Sequence, residues 1–273
     1  MRSLEVMTRS VARLLSALLV SLTAIGAPAP EVLPKSESAK PEEGGNPALA
    51  AALERLKLPG VTINLEERCV DVESTVALLE GSLEFVACTR DTKEHESILI
   101  VEAKPSHIHT ALLLLGAKPG HPAMRKPIDE EGLRFIDLPP RGGPVDVSLV
   151  VQDDGGKERE RPISAFLERS EDFEGAGFDD EEEDAKFPTN TWVFAGSILH
   201  GQGDGPRTYI ADQSGSVISL STFGDELLCL PGVHGHANGA LMWQVNSEHL
   251  PRPGKTVILR LRPQLPAQAA PKK

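Results

Sequence analysis

With 273 residues and 40% hydrophobic content, the chain can bury one substantial core or two small ones. Its 22 prolines and 24 glycines exclude helix-only and collagen-like classes and call for many turns. A net charge of −12 excludes a general nucleic-acid binder, which needs a basic stripe to neutralise phosphates. That charge is uneven. Between Glu168 and Asp184 ten carboxylates face one arginine, a local −9, whereas the first 26 residues carry +2 and the remainder only −5.

The chain begins with Arg9 and Arg13 ahead of an apolar run from Leu14 to Ala27, closed by Pro28-Ala29-Pro30. A basic start, a short apolar region and small residues at its end predict a secretory signal over residues 1–26, with Ala24 and Gly26 ahead of the cleavage point and Ala27 as the new N-terminus. The run is too short for a spanning helix, so no transmembrane segment is expected after cleavage. The expected location is exported, periplasmic or extracellular. Residues 27–46 are Pro, Glu, Ser, Lys and Gly with almost no large apolar side chain, and they predict a disordered linker.

Asn46-Pro47 predicts a helix start, with Leu49, Leu53 and Leu56 at helical spacing. VTINLEERCVDV and STVALLEGSLEFVAC read as strands joined by hairpins, with Glu80-Gly81-Ser82 at one tip. Ile98 to Ala103 is apolar on both faces and predicts a central strand. Ser106 is the expected cap of the next helix. Ile108, Ala111, Leu112 and Leu115 form its stripe, Gly116 is its left-handed stop, and Leu113 and Leu114 imply burial nearly all round. Loops fill His121 to Pro144. VDVSLVVQ and KERERP form a hairpin with a polar second strand, and Ile163 to Leu167 reads as a short helix. The acidic stretch 168–186 is a loop insertion. TWVFAGSIL, RTYIAD, SVISLSTF, Leu241–Asn246 and TVILRLRP read as strands, Leu227–Leu230 as a helical turn, and 264–273 as a flexible tail. There is no visible internal repeat. The predicted fold is α+β: a single domain over 47–263 of mostly antiparallel strands with two or three short helices.

LEFVAC, KEHESILIVEAKPSHIHTALLLLGAKPGHP, TWVFAGS, YIADQSGSVISLSTFGDELL and PGKTVILRLRP, in that order, resemble the YdjY-like domain, a family of exported bacterial proteins of planctomycete-type genomes. The resemblance covers about Val61 to Pro263 and departs from the family at Ala165-Phe166-Leu167, where a Trp-Ile pair is common, and at the acidic insertion. It implies a domain and an exported address, not a reaction. Some members carry a ferredoxin-like label. An iron–sulfur cluster needs about four organised thiolates, and Cys69, Cys88 and Cys229 do not supply them.

The candidate chemistry lies in Cys88, Lys93, His95 and Glu96. A thiol beside Arg90, Lys93 and His95 is a candidate low-pKa nucleophile or redox group. Cys88 and His95 are alternatively metal ligands, as are His234 and His236 in a separate loop. Against these stands a structural reading, in which Cys88 is a buried small residue and Lys93 and Glu96 pair to hold a turn. On an extended segment His95 and Glu96 point to opposite faces, leaving Lys93 as the same-face neighbour of His95. Three cysteines leave at least one unpaired, and Cys69 and Cys88 are poorly placed to bridge. His107 and His109 are separated around their helix. Asp212 reads as a turn former, Asp225-Glu226 as charges at a helical start, and Ser197 lacks the context of a nucleophile elbow. No resident cofactor is identified. The expected function is non-catalytic: an exported binding or envelope-associated module for an envelope protein or small ligand, with no nucleic acid as partner. The alternative is a thiol- or metal-dependent redox or hydrolytic protein centred on Cys88 and His95.

Overall fold

The structure, a computed structural model, describes residues 56–129, 131–152, 155–170, 187, 191–201, 205–236 and 241–265. The expected export signal, linker, helix start at Asn46, nearly all of the acidic insertion and most of the tail lie outside the described residues.

Period-two alternation builds the frame. In β2 (Cys69–Val76) Val70, Val72 and Val76 are buried while Asp71 and Glu73 face outward. In β16 (Thr256–Pro263) the buried set is Val257, Leu259 and Leu261, and in β7 (Pro144–Gln152) it is Val145, Val147 and Leu149. These strands lie side by side and antiparallel, with Val72, Leu259 and Leu149 in one row. The row continues from β7 to β10 (Thr191–Val193), β14 (Leu228–Cys229), β13 (Ser216–Ser219), β3 (Phe85–Thr89) and β4 (Ser97–Val101). It then closes, because Ser74, Thr75 and Val76 of β2 pair with Val101, Ile100 and Leu99 of β4.

The result is a closed eight-stranded β-barrel filled by side chains, among them Trp192, Phe166, Phe194 and Leu149, all fully buried. Closure leaves the eight-stranded ring itself no continuous open edge. Outside the ring, β1 (Val61–Asn64) extends the free half of β2, and β8 (Glu158–Pro162) the free half of β7. Three small two-stranded sheets are added: β5 (Met124–Pro127) with β6 (Phe135–Leu138), β9 (Leu167–Arg169) with β15 (Trp243–Val245), and β11 (Leu199–His200) with β12 (Thr208–Tyr209). The α-helices are α1 (Pro105–Leu114) and α2 (Ile210–Ser214), and 3-10 turns occupy Glu94–Glu96 and Ile163–Phe166.

This corrects the α+β expectation. Among the described residues 41% are strand and 12% helical, and two of the barrel pairings, β3–β4 and β13–β14, are parallel. Glu80-Gly81-Ser82 is not a hairpin tip, because β4 lies between β2 and β3. Leu228–Cys229 is a strand rather than a helical turn. α1 starts at Pro105 after Lys104, so Ser106 does not cap it, and Leu113 and Leu114 are exposed while Ile108, Ala111, Leu112 and Leu115 are buried. Gly116 does stop it, at φ +89°.

The topology contains a repeat that the residues do not display. The strands β16–β2–β4–β3 and β7–β10–β14–β13 follow the same order and the same senses: antiparallel, antiparallel, parallel. The halves meet antiparallel at β16–β7 and at β3–β13. In each half a strand returns beside its predecessor through a short crossover, residues 90–96 and 220–227, where parallel neighbours ordinarily need a dozen residues or more. The two crossovers share one device. A residue with positive φ (Asp91 at +61°, Gly224 at +88°) opens the bend. A glutamate closes it, Glu94 accepting from the Asp91 amide and Glu226 from the amides of Phe223 and Gly224.

Candidate functional site

The halves join at β3 and β13, whose register shifts on either side of Ile218. Over this seam the first crossover lays Lys93, whose Nζ donates to Ser216 Oγ at 2.8 Å. The ammonium lies 4.3 Å from the Phe85 ring and 5.0 Å from the Phe223 ring. Phe85 stacks on Phe223 at 4.9 Å, and Phe223 on His236 at 5.3 Å. One aromatic ring from β3, one from the second crossover and one from the His234–His236 loop thus form a column. The first crossover lays its partly desolvated cation over the first two, a favourable setting for cation–π attraction. Beyond Phe223 opens a cavity of ≈ 520 Å³, walled by Met124, Arg125 and Asp137 of the β5–β6 hairpin and by His234 and His236. Arg125 Nε donates to Asp137 Oδ1 at 3.0 Å, tying the two hairpin strands together.

At the other end of the seam Glu84 precedes β3 and Glu96 precedes β4, and the Glu84 amide donates to the Glu96 carbonyl at 3.2 Å. Their carboxyls share a hydrogen bond. Burial, then the charge of Glu96 and that bond, push Glu84 up to about 7, against the pull of Lys93 and His95. Between the carboxyl's ordinary value of 4.5 and about 7 the native state binds more protons than the unfolded one, so this group makes stability fall as pH rises through that window. Glu84→Gln is therefore expected to flatten the pH dependence. It should raise stability at pH 8 relative to pH 4 by about 1 kcal/mol, after allowing for solvent screening of a part-exposed pair. Parallel pH–stability curves for the two proteins, from urea unfolding, would contradict the assignment.

The family model of the YdjY domain matches residues 61–262. The chain belongs to the YdjY domain family. The match begins at the first residue of β1 and ends within β16, so it takes in the whole barrel, both crossovers and the seam. No curated protein and no solved structure matches the chain.

In this YdjY domain three of the four residues picked out by sequence, Lys93, His95 and Glu96, share the first crossover, Cys88 lies in β3, and the four do not form one site. Lys93 turns inward onto the aromatic column. His95 points to solvent with 78% of its side chain exposed, its Nε2 3.7 Å from Glu96 Oε2. The expectation of opposite faces for His95 and Glu96 is corrected, because both belong to the Glu94–Glu96 3-10 turn rather than to a strand. Cys88 is fully buried, and burial raises its thiol, opposed by Ser97, Lys93 and Thr92. Burial likewise pushes Cys69 to about 11 and raises Cys229. All three cysteines are free and are thiols rather than thiolates at neutral pH. His234 is held structurally: its amide donates to Thr222 Oγ1 and its Nε2 lies 2.8 Å from the Pro231 carbonyl. Among the described residues no three His, Cys, Asp or Glu side chains are grouped to hold a metal ion. Sequence reasoning missed Glu84, Phe85, Ser216 and Phe223. A lone carboxylate opening the apolar run LEFVAC was the available signal for the first.

A second cluster ties the helices of the YdjY domain to its loops. Asp212 of α2 accepts from the Ser106 amide at 2.8 Å and its hydroxyl at 2.7 Å, supplying from a distance the cap that α1 lacks. His109 Nδ1 lies 2.7 Å from the Tyr209 hydroxyl, which donates to the Gly196 carbonyl at 2.9 Å. Burial lowers the His109 pKa, so the ring is a neutral strut. Ser197 Oγ donates to the Asp225 carbonyl at 2.6 Å and accepts from the Ala211 amide at 3.1 Å. Its hydroxyl is committed to joining these segments.

Proposed function

We propose that this YdjY domain is an exported, non-catalytic binding module that recognises an envelope protein through the β5–β6 hairpin and the cavity beneath it. The observation that carries the reading is the hairpin surface. Leu133 is 77% exposed, and Met124, Ile128, Phe135 and Ile136 are exposed beside it. Apolar side chains gathered in this way on an otherwise charged protein are the ordinary mark of an interaction surface. The cavity next to them offers an aromatic and histidine-lined recess for an anchoring side chain. The barrel holds its thiols buried and protonated, which speaks against thiol chemistry. Export rests on the basic start and the apolar run from Leu14 to Ala27. Among the described residues no helix is long and apolar enough to cross a membrane.

A photo-crosslinking residue placed at Leu133 in the full chain, in cells, tests this. The expected result is a discrete ultraviolet-dependent adduct in the envelope fraction, missing when the same residue replaces Glu73 on the outer face of β2. Identical patterns at the two positions, or no adduct at Leu133, would reject the hairpin as the recognition surface.

A further inference from the structure

The strand β8 sorts its charges by alternation. In Glu158-Arg159-Glu160-Arg161 successive side chains take opposite faces. Glu160 lies on the outer face, where it accepts from Arg260 at 3.1 Å and from Arg262 at 2.9 Å. Arg159 and Arg161 pair in register with Val151 and Leu149, so they share the face that, further along β7, lines the core. There they enter a cleft of ≈ 890 Å³ whose opposite wall, residues 248–256, contributes Arg252 and Lys255. Four cations from two separate elements converge on this cleft, against Glu248 alone, in a protein of net charge −12. On the outer face Arg260 and Arg262 are matched by Asp71, Glu67 and Glu160. Arg161, Arg252 and Lys255 enter no ion pair among the described residues.

We propose that this cleft binds an extended acidic peptide segment of a partner, added as a strand along the outer edge of β8. Among the described residues β8 pairs only with β7 and no strand takes its other edge, so its backbone groups there are open to a further strand. In an added strand, side chains at i and i+2 share a face about 7 Å apart, the same spacing as Arg159 and Arg161. Carboxylates at alternate positions then fall beside these two guanidiniums as cross-strand neighbours, with Arg252 and Lys255 closing from the far wall. Inward-pointing charge on an edge strand also discourages indiscriminate pairing. Here it would admit one class of strand and repel apolar ones. A densely charged polyanion meets the same cations but gains nothing from the strand edge, and the net charge of −12 opposes it. The site is separate from the hairpin surface proposed above, and neither proposal depends on the other.

The test is fluorescence anisotropy of a labelled peptide of alternating Thr and Glu, titrated with the full chain. Saturable binding is expected, weakening with added salt and about tenfold weaker in the Arg161→Glu, Arg252→Glu double variant. A peptide of the same composition with its glutamates in one block should bind several-fold more weakly. Thermal unfolding verifies that the variants are folded, and the milder Arg161→Gln gives the same direction should the double variant fail to fold. No saturable binding, or binding unchanged in both variants, overturns the proposal. Equal binding of the block peptide, or equal competition by inorganic polyphosphate, overturns it in favour of a patch that senses charge alone. Binding that appears only after the nine carboxylates between 171 and 184 are changed to amides overturns it in favour of the chain's own acidic insertion as occupant.

Discussion

Gly120→Ala is expected to lower the unfolding free energy by about 3 kcal/mol or more, read as a lower denaturant midpoint at unchanged slope. A Cβ at this position would lie 1.9 Å from the Arg141 carbonyl oxygen and 2.7 Å from the Gly142 nitrogen. These are backbone atoms and cannot rotate aside. Three loops are clasped at this point. The Gly120 amide donates to the Phe194 carbonyl, His121 and Arg141 exchange both backbone hydrogen bonds, and Gly143 and Phe194 extend the ladder to Lys118. Relief at Gly120 therefore requires displacing the loops that lead into β5 and out of β6, and with them the proposed recognition hairpin. Gly132→Ala in the hairpin supplies the contrast. It stands at φ +66° with open space around its Cβ, so only the left-handed backbone penalises it, by about 1 kcal/mol. Equal stability of Gly120→Ala and wild type would show that the clasp is not formed as described.

The second large effect is expected at Glu226. It is 1% exposed, it closes the second crossover by accepting from Phe223 and Gly224, and its other oxygen has no partner among the described residues. Glu226→Ala strips two amides of their acceptor inside the fold and is expected to cost about 2–3 kcal/mol. Glu226→Gln keeps the accepting oxygen and is expected to match wild type. It should do better as pH rises, because burial raises the Glu226 pKa. A raised native pKa means that stability is complete below the ordinary carboxyl range and declines above it, and an amide has no such decline. Glu94 plays the same part in the first crossover but stands nearer to solvent, where water can replace the lost acceptor. Glu94→Ala should cost under about 1 kcal/mol. Chemical denaturation of the three variants measures the asymmetry. Equal losses at Glu94 and Glu226 would show that burial does not govern these turns.

Much of the strand content was legible because alternation is a local signal. β2, β7, β8 and β16 each announce themselves by period two, and ILIV announces a strand covered on both faces. Glu-Arg-Glu-Arg in β8 was legible as the polar second strand of a hairpin, and nothing local showed which groups its two faces would meet. The candidate site was legible in part. Lys93 and Glu96 both take part in the seam, but the partners of Lys93, Ser216 and Phe223, lie more than a hundred residues away, and no spacing rule connects them. Cys88 looked reactive because cations crowd it in sequence. In space they turn elsewhere, and the thiol is left in a buried setting that keeps its proton.

The sequence by itself determined where the long strands β2, β7 and β16 run, which of their faces are apolar, where Gly116 stops α1, and which family the chain resembles, but it read loops where β5 and β6 form and a helical turn where β14 forms. Only the tertiary structure decided that these strands close into a barrel rather than an open α+β sheet. Hydrogen bonding between strands depends on which edges meet, and Ser74–Val101, Val72–Leu259 and Ser216–Cys88 are pairings of residues far apart in the chain. The same non-local choice folds two short crossovers against each other and creates the repeat that no residue pattern reveals. The seam, the carboxyl pair at Glu84 and the basic cleft are all consequences of that closure.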